Sequence, residues 1–131
     1  MRNPGANVGR ILIVDDEPAI CEVCLKVLTG EGFEVDIAAN GKEGEDKLEE
    51  KQYDLILIDI RTPVMNGKQL YKNISEKYPE LANRVILTSG EVIGGDIQGF
   101  LELAGRPFLP KPFTPKDLKN IVRDALKPME K

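Results

Sequence analysis

Ile11-Leu-Ile-Val-Asp-Asp-Glu-Pro18 is the stretch of sequence that decides the fold. Its first four residues are all apolar and branched, which predicts a short strand covered by helices on both faces. Three acids follow at once, and the proline after them favours the first turn of a helix. A buried strand that leads directly into a helix is the opening unit of an α/β fold with a parallel sheet.

Four further runs predict strands, and segments of helical periodicity separate them. Residues 55–58 are apolar at consecutive positions, so this third strand belongs in the centre of the sheet beside the first. In the second run Glu34 and Asp36 alternate with Val35 and Ile37, which is typical of a half-exposed edge strand. The predicted strands are 11–14, 33–39, 53–58, 85–88 and 107–109, and the predicted helices are 18–29, 41–51, 67–77, 91–104 and 115–127.

The helices differ in the strength of their local signals. Thr114 and Asp117 form a capping pair at the start of the last helix. The fourth helix contains Gly94, Gly95 and Gly99, each of which weakens a helix by about 1 kcal/mol relative to alanine. We expect that helix to start late or to be mobile.

Strict alternation of strands and helices predicts one doubly wound α/β domain. Right-handed crossovers place helices on both faces of a five-stranded parallel sheet, and the strand order 2-1-3-4-5, a flavodoxin-like arrangement, satisfies the central and edge positions. The domain is expected over 10–127, after a flexible lead at 1–9 and before a tail at 128–131. Ligands of such sheets bind beyond the carboxyl ends of the strands, where strands 1 and 3 diverge.

Composition removes several classes of function. The 131 residues include 18 Lys+Arg, 22 Asp+Glu and no histidine, for a net charge of −4. Without histidine there is no His-based zinc site and no Ser-His-Asp or Cys-His catalysis. No basic block marks a nucleic-acid surface, and no apolar run approaches the roughly 20 residues of a membrane span or a signal-peptide core. We expect a cytoplasmic domain that contacts neither nucleic acid nor membrane.

Cys21 and Cys24 form a Cys-x-x-Cys pair that has to be weighed as a redox or zinc site. A tetrahedral zinc site needs two more Cys or His ligands, which one copy of the chain does not possess. Helical spacing also groups Cys24 with Ile20, Val23, Val27 and Leu28 on one apolar face of the first helix. Cys24 is therefore interpreted as a small core residue and Cys21 as its near neighbour.

Acidic residues follow two of the central strands. The first strand ends in Asp15, Asp16 and Glu17, and the third ends in Asp59. Brought to one switch point, these carboxylates repel one another. A hard divalent cation with oxygen ligands relieves the repulsion, and Mg²⁺ suits a partly hydrated site held by one or two carboxylates. The sequence therefore predicts a magnesium site at this edge of the sheet.

The last two strands add positive charge and hydroxyl groups to the same edge. Lys111 follows the fifth strand, and Thr88 and Ser89 end the fourth. A carboxylate, a cation and an ammonium around one space form a receptor for a phosphoryl group, whose oxygens need positive charge during transfer. Each signal is weak alone, because an Asp pair is often a helix cap and a lysine is often surface charge. Their joint placement at four strand ends favours a functional site.

From about Arg10 to Lys127 the sequence resembles the receiver domains of two-component response regulators. The segment 100–113 resembles especially the receivers attached to hybrid histidine kinases. The motifs that carry the resemblance are residues 11–18, Asp59 followed by Pro63, Met65 and Gly67, the triplet Thr88-Ser89-Gly90, and Lys111-Pro112-Phe113.

The resemblance implies a phosphoacceptor and a metal site. Asp59 would accept a phosphoryl group from a phosphohistidine of a sensor histidine kinase or histidine phosphotransfer domain. Asp16 and Asp59 would bind Mg²⁺ directly, together with the backbone carbonyl of Arg61, and Asp15 would act through water. Such a domain catalyses only its own phosphorylation and dephosphorylation, so we do not expect an enzyme in the usual sense.

The resemblance also implies a switch. Lys111 would pair with Asp59 before transfer and with the phosphoryl oxygens after it, and the bond before Pro112 would be cis. Thr88 would move toward the phosphoryl group, and Phe108 would then turn inward; the alternative for Phe108 is a permanent place in the core. The implied partners are a downstream protein or a tethered domain, and a homodimer would form through the face between the fourth and fifth predicted helices.

Three alternatives stay open at this stage. An aspartyl-phosphate phosphatase would have a second acid two residues after the nucleophile, where this chain has Arg61. A flavodoxin-like FMN carrier would have a hydroxyl- and glycine-rich phosphate loop in place of Asp15-Asp16-Glu17. A pseudo-receiver that binds partners without phosphorylation is disfavoured because every required acid is present.

Overall fold

The computed structural model describes residues 9–61, 65–90 and 95–126. Its core is a five-stranded, all-parallel sheet in the order β2-β1-β3-β4-β5, which confirms the predicted fold class and strand order. The predicted strand boundaries were within two residues of the observed ones. The strands are β1 (Arg10–Val14), β2 (Glu34–Ala38), β3 (Leu55–Asp59), β4 (Val85–Ser89) and β5 (Phe108–Pro110).

Each predicted helical segment contains a helix, and one further helix was not predicted. The unpredicted helix is a single turn that begins at Pro79, directly after the preceding helix ends. Parts of the predictions lie outside the described residues: the lead at 1–8, the helix start at 91–94, and positions 127–131. The helices are α1 (Pro18–Gly30), α2 (Gly41–Glu50), α3 (Gly67–Lys77), α4 (Pro79–Ala82), α5 (Gly95–Ala104) and α6 (Pro115–Ala125).

The sheet separates two apolar layers, because alternate residues of a strand point to opposite faces. The central strands β1 and β3 are buried over nearly their whole length, as their continuous apolar runs predicted. A fully buried Leu or Ile side chain contributes about 1.5–3 kcal/mol, so these two strands supply much of the stability. One layer joins Leu12, Val14, Ile56 and Ile58 to Leu48, Leu70, Ile74 and Ile97, and the other joins Ile11, Ile13, Leu55 and Leu57 to Cys24, Leu28, Leu118 and Val122.

Three local predictions can be compared with the structure. The capping pair at α6 is confirmed, because Thr114 accepts from the Asp117 amide and Asp117 accepts from the Thr114 amide, both at 3.0 Å. Val23 was assigned to the core face of α1 and is 36% exposed, because it lies at the border of that face. Gly9, assigned to the lead, is buried, and its carbonyl accepts from the Glu34 amide.

Cys24 lies in the core beneath α1 and Cys21 beside it, as predicted. Cys24 is fully buried, and Cys21 is partly buried and donates to the Asp15 carbonyl oxygen at 3.2 Å. Burial raises the pKa of Cys21 to about 11 and that of Cys24 to about 12. Both thiols therefore stay protonated at neutral pH, which argues against thiolate chemistry.

Of the helices that the structure describes, none combines the length and the apolar character needed to cross a membrane.

Candidate phosphoacceptor site

The sheet register brings the predicted site residues together at one edge. Val14 pairs with Ile58, so Asp15 and Asp59 both follow directly at the carboxyl ends of the two central strands. Asp59 in turn pairs with Thr88 of β4. Because β5 continues the same parallel sheet, the chain after it delivers Lys111 to the same edge.

Lys111 lies at the centre of the site. Its Nζ is 3.0 Å from Asp15 Oδ2 and 3.0 Å from Asp59 Oδ2, and it also donates to Glu17 Oε1. The lysine side chain is only 8% exposed, whereas Glu17 is 57% exposed and covers the ammonium from the solvent side. Burial by itself lowers the pKa of Lys111, but the interactions of its ammonium with the three carboxylates outweigh it, so the pKa is raised and the ammonium stays charged.

Asp59 is held at both carboxylate oxygens. The residue is 5% exposed, Oδ1 accepts from the backbone amide of Arg61 at 3.0 Å, and Oδ2 accepts from Lys111 at 3.0 Å. Two donors on opposite oxygens fix the plane of the carboxylate. The structure therefore presents this side chain in one orientation at the end of a rigid, buried strand.

Asp15 is the most buried acid of the site, at 1% exposure. Its Oδ1 accepts from the Glu17 amide at 2.9 Å, while Oδ2 has the nearby ammonium as an ion-pair partner outside hydrogen-bond geometry. Among the described residues, this Oδ2 is the one buried side-chain oxygen or nitrogen that lacks a hydrogen bond. Burial raises the pKa of Asp15, against the opposing effects of the Glu17 amide and Lys111.

The acidic cluster fits a divalent cation. Carboxylate oxygens of Asp15, Glu17 and Asp59 lie within 4.8 Å of one another and face a single ammonium. Three carboxylates and one ammonium leave two formal negative charges in excess, and oxygen is the ligand that Mg²⁺ prefers. A cation bound beside this excess charge would give Asp15 Oδ2, the buried oxygen that lacks a hydrogen bond, a further partner.

Two of the implied metal ligands, Asp16 and Arg61, are not part of the carboxylate cluster formed by Asp15, Glu17 and Asp59. Asp16 is exposed and is not one of the clustered carboxylates among the described residues. Arg61, whose carbonyl was the third implied ligand, directs its amide to Asp59. Direct metal binding by Asp16 and by the Arg61 carbonyl stays a prediction.

Of the implied switch residues, Thr88 lies beside Asp59 in the sheet with its hydroxyl directed to β5, and Phe108 lies in an apolar layer. Thr88 is fully buried, and its hydroxyl donates to the Leu109 carbonyl oxygen of β5 at 2.5 Å. Phe108 is partly buried and packs against the apolar layer that contains α3 and α5. The Lys111–Pro112 peptide bond is cis, as the resemblance implied.

Two glycines anchor the segment that connects β3 to α3. The Gly41 amide donates to the Met65 carbonyl at 3.1 Å, and a Cβ on Gly41 would lie 2.2 Å from that oxygen. The Gly67 amide donates to the Ile60 carbonyl at 3.0 Å, and a Cβ there would lie 2.6 Å from Ile60 Cα. Close backbone approach therefore requires glycine at both positions. Pro63 of the motif lies outside the described residues.

The sequence placed Glu17 among the acids at the end of the first strand but predicted no contact with Lys111, and it assigned no role to Gly41. Glu17 directly follows the two aspartates, and this adjacency was the available signal. Gly41 follows Asn40, which caps α2, so the sequence indicates only the first residue of a helix at this position. Neither signal indicates a contact with a distant segment.

The chain was compared with known families, proteins and structures. A family model described as response regulator receiver domain matches residues 11–123. Response regulator Rre1 of Synechocystis is 37% identical over 119 residues, which are 88% of this chain and 51% of that protein. The chain spans about half the length of the curated relatives it matches.

Two solved receiver structures are similar over nearly the whole chain. A CheY-like receiver domain protein from Methanospirillum hungatei has 34% identity and a TM-score of 0.83, covering 92% of this chain and 94% of that one. The receiver domain of sensor histidine kinase PA1611 from Pseudomonas aeruginosa, with magnesium in its active-site cleft, has 28% identity and a TM-score of 0.79, covering 90% and 97%. With the fold, the site geometry and the family match in agreement, this chain belongs to the response regulator receiver domains of two-component systems.

Proposed function

We propose that Asp59 accepts a phosphoryl group from a phosphohistidine of a sensor histidine kinase or a histidine phosphotransfer domain. The observation that carries this proposal is the environment of Asp59: a carboxylate at the end of a buried central strand, oriented by the Arg61 amide and paired with Lys111. A carboxylate oxygen attacks phosphorus, the P–O bond forms, and the P–N bond to the histidine breaks. The partner's imidazole leaves with the bonding electron pair.

The residues around Asp59 lower the barrier by charge and orientation. The Arg61 amide and the Lys111 ammonium hold the carboxylate in one plane, which reduces the entropic cost of reaching the transition state. Negative charge spreads over the transferring phosphoryl oxygens, and the buried ammonium is the protein cation that stabilises it. When bound, Mg²⁺ supplies further positive charge for the same oxygens. Asp15 and Asp59, with the exposed Asp16 and the Arg61 carbonyl, are the groups proposed to hold it.

Phosphorylation of Asp59 would change the net charge of the site, and Thr88 and Phe108 would change position in response. Three aspartates carry a charge of −3 before transfer; afterwards two aspartates and a doubly charged acyl phosphate carry −4. The additional charge attracts the Thr88 hydroxyl away from the Leu109 carbonyl, to which it donates in this structure. Phe108 then fills the released space. The changed surface, on α5 and α6, is where a downstream protein, a tethered domain or a second copy of the chain would dock.

Acetyl phosphate tests the phosphoacceptor assignment without the unknown kinase. Incubation with Mg²⁺ should add one phosphoryl group to the wild-type protein by intact mass, and peptide mapping should place it on Asp59. Asp59→Asn should abolish the adduct, whereas Asp36→Asn, on edge strand β2, should not. An adduct of equal yield on the Asp59→Asn protein contradicts the assignment.

The other functions considered receive less support. A phosphatase would use an acid two residues after Asp59, and the structure has the Arg61 amide as a fixed donor there. An intact set of site acids together with Lys111 disfavours a pseudo-receiver. Membership of a hybrid histidine kinase is consistent with the PA1611 receiver among similar structures, and it stays a prediction, as does a cytoplasmic location.

A further inference from the structure

Glu17 is a charged residue at the site to which the proposed reaction assigns no step. It is the N-cap of α1, yet its side chain makes no capping hydrogen bond to the helix. The residues that ordinarily cap a helix here are Ser, Thr, Asp and Asn, and glutamate is not one of them. Here the carboxylate reaches instead to the ammonium of Lys111, 94 positions away in the sequence.

The three partners of Lys111 differ in their access to solvent. Asp15 and Asp59 are 1% and 6% exposed at the side chain and lie on the buried side of the ammonium. Glu17 is 57% exposed and lies on the solvent side. An ammonium has three N–H donors, and three carboxylates surround this one. Of these three partners, Glu17 is therefore the one on the solvent side, from which a phosphoryl donor arrives.

We propose that Glu17 is a positioning residue. By binding the Lys111 ammonium, it reduces the interaction of that ammonium with the phosphoryl donor and thereby slows phosphorylation of Asp59. Its carboxylate competes with the phosphoryl oxygens for one N–H of Lys111, and its negative charge repels the anionic donor. The inference rests on the proposed phosphoacceptor function of the site. It makes Glu17 a determinant of the phosphorylation rate, separate from the groups that carry out the transfer.

The test compares Glu17→Gln with wild type, using acetyl phosphate at saturating Mg²⁺. A carboxylate oxygen of Asp59 forms the new P–O bond, and acetate leaves as the old P–O bond breaks. Glutamine keeps the size of the side chain and removes its charge, so the adduct should form about twofold to fivefold faster, a range set by the modest strength of an exposed ion pair. Glu22→Gln, exposed on the same helix, makes the same change in net charge and should leave the rate near wild type.

Three further measurements separate positioning from other roles. In a Lys111→Ala background the effect of Glu17→Gln should fall to less than twofold, since the competition acts through the lysine. Beryllofluoride, a phosphoryl mimic that needs no transfer, should bind the Glu17→Gln protein more tightly in an amide NMR titration. Its Mg²⁺ affinity should fall by less than tenfold, because one negative charge is lost from the acidic cluster while the groups proposed to hold the metal remain.

The possible results are distinct. An unchanged rate for Glu17→Gln, or an equal gain for Glu22→Gln, overturns the positioning role. A slower rate with Mg²⁺ affinity reduced more than tenfold overturns it too, because Glu17 would then be a metal ligand. A wild-type protein that forms no adduct on Asp59 while beryllofluoride still binds more tightly to Glu17→Gln refutes the proposed function and leaves the Glu17–Lys111 competition supported.

Discussion

Replacing Asp15 by asparagine is expected to stabilise the protein in the absence of divalent cations. The residue is 1% exposed, and burial raises its pKa, which means that the folded environment favours the neutral form. At neutral pH the ionised side chain therefore costs stability. Asparagine has nearly the same shape and keeps an oxygen that can accept from the Glu17 amide.

The magnitude follows from two opposing contributions. Ionised Asp15 is a buried charge whose desolvation costs several kcal/mol, and asparagine removes that cost although its amide NH2 takes the place of Oδ2 beside the ammonium. The substitution also removes the ion pair with Lys111, which retains Asp59 and Glu17 as partners. We therefore expect a net gain of about 1 kcal/mol, which raises the Tm of a domain of this size by roughly 3–6 °C.

Urea denaturation in EDTA, followed by far-UV circular dichroism, measures the change across pH. Because the folded-state pKa of Asp15 is raised, wild type gains stability as pH falls through that pKa, so the advantage of asparagine should shrink in acid. Added Mg²⁺ at ten times its Kd should stabilise wild type by about 1.4 kcal/mol. It should stabilise the Asp15→Asn protein less.

Asp36 supplies a control of opposite sign. Burial by itself raises its pKa, but hydrogen bonds from Tyr53 at 2.6 Å and Lys51 at 3.2 Å outweigh it and lower the pKa. Its stabilising contribution is present above the unfolded-state pKa and is lost as pH falls through the folded-state pKa. Asp36→Asn should thus destabilise the protein. If Asp15→Asn also lowers the free energy of unfolding in EDTA, the ion pair with Lys111 outweighs burial and the reasoning is refuted.

Three further substitutions test the switch, the loop anchor and a helix cap. Thr88→Ala should still be phosphorylated, but the amide shifts that beryllofluoride induces around Phe108 should be at most half those of wild type; equal shifts would show a switch through other residues. Gly41→Ala, with its Cβ 2.2 Å from a backbone oxygen, should lose about 1–3 kcal/mol in urea titrations, whereas Gly99→Ala, with open space, should gain up to about 1 kcal/mol. Thr114→Ala should cost about 1 kcal/mol by the same assay, and no loss would mean that the capping box is dispensable.

The sequence by itself determined the layout of the elements, because the signals involved are local. Continuous apolar residues in β1 and β3 required strands covered on both faces, and alternation in β2 required an edge. A helix between each pair of strands left one economical strand order. The same layout placed Asp59 and Lys111 at one edge, since the carboxyl ends of parallel strands share that edge.

Tertiary structure alone decided which of those polar residues meet. Three consecutive acids follow β1, and sequence cannot tell which of them turns inward, because that depends on the backbone of the turn. The structure buries Asp15, leaves Asp16 exposed and directs Glu17 to Lys111. It also brings the Gly41 amide to the loop before α3. These contacts join residues far apart in the chain, and their distances depend on how the helices pack on the sheet, which no local pattern of residues encodes.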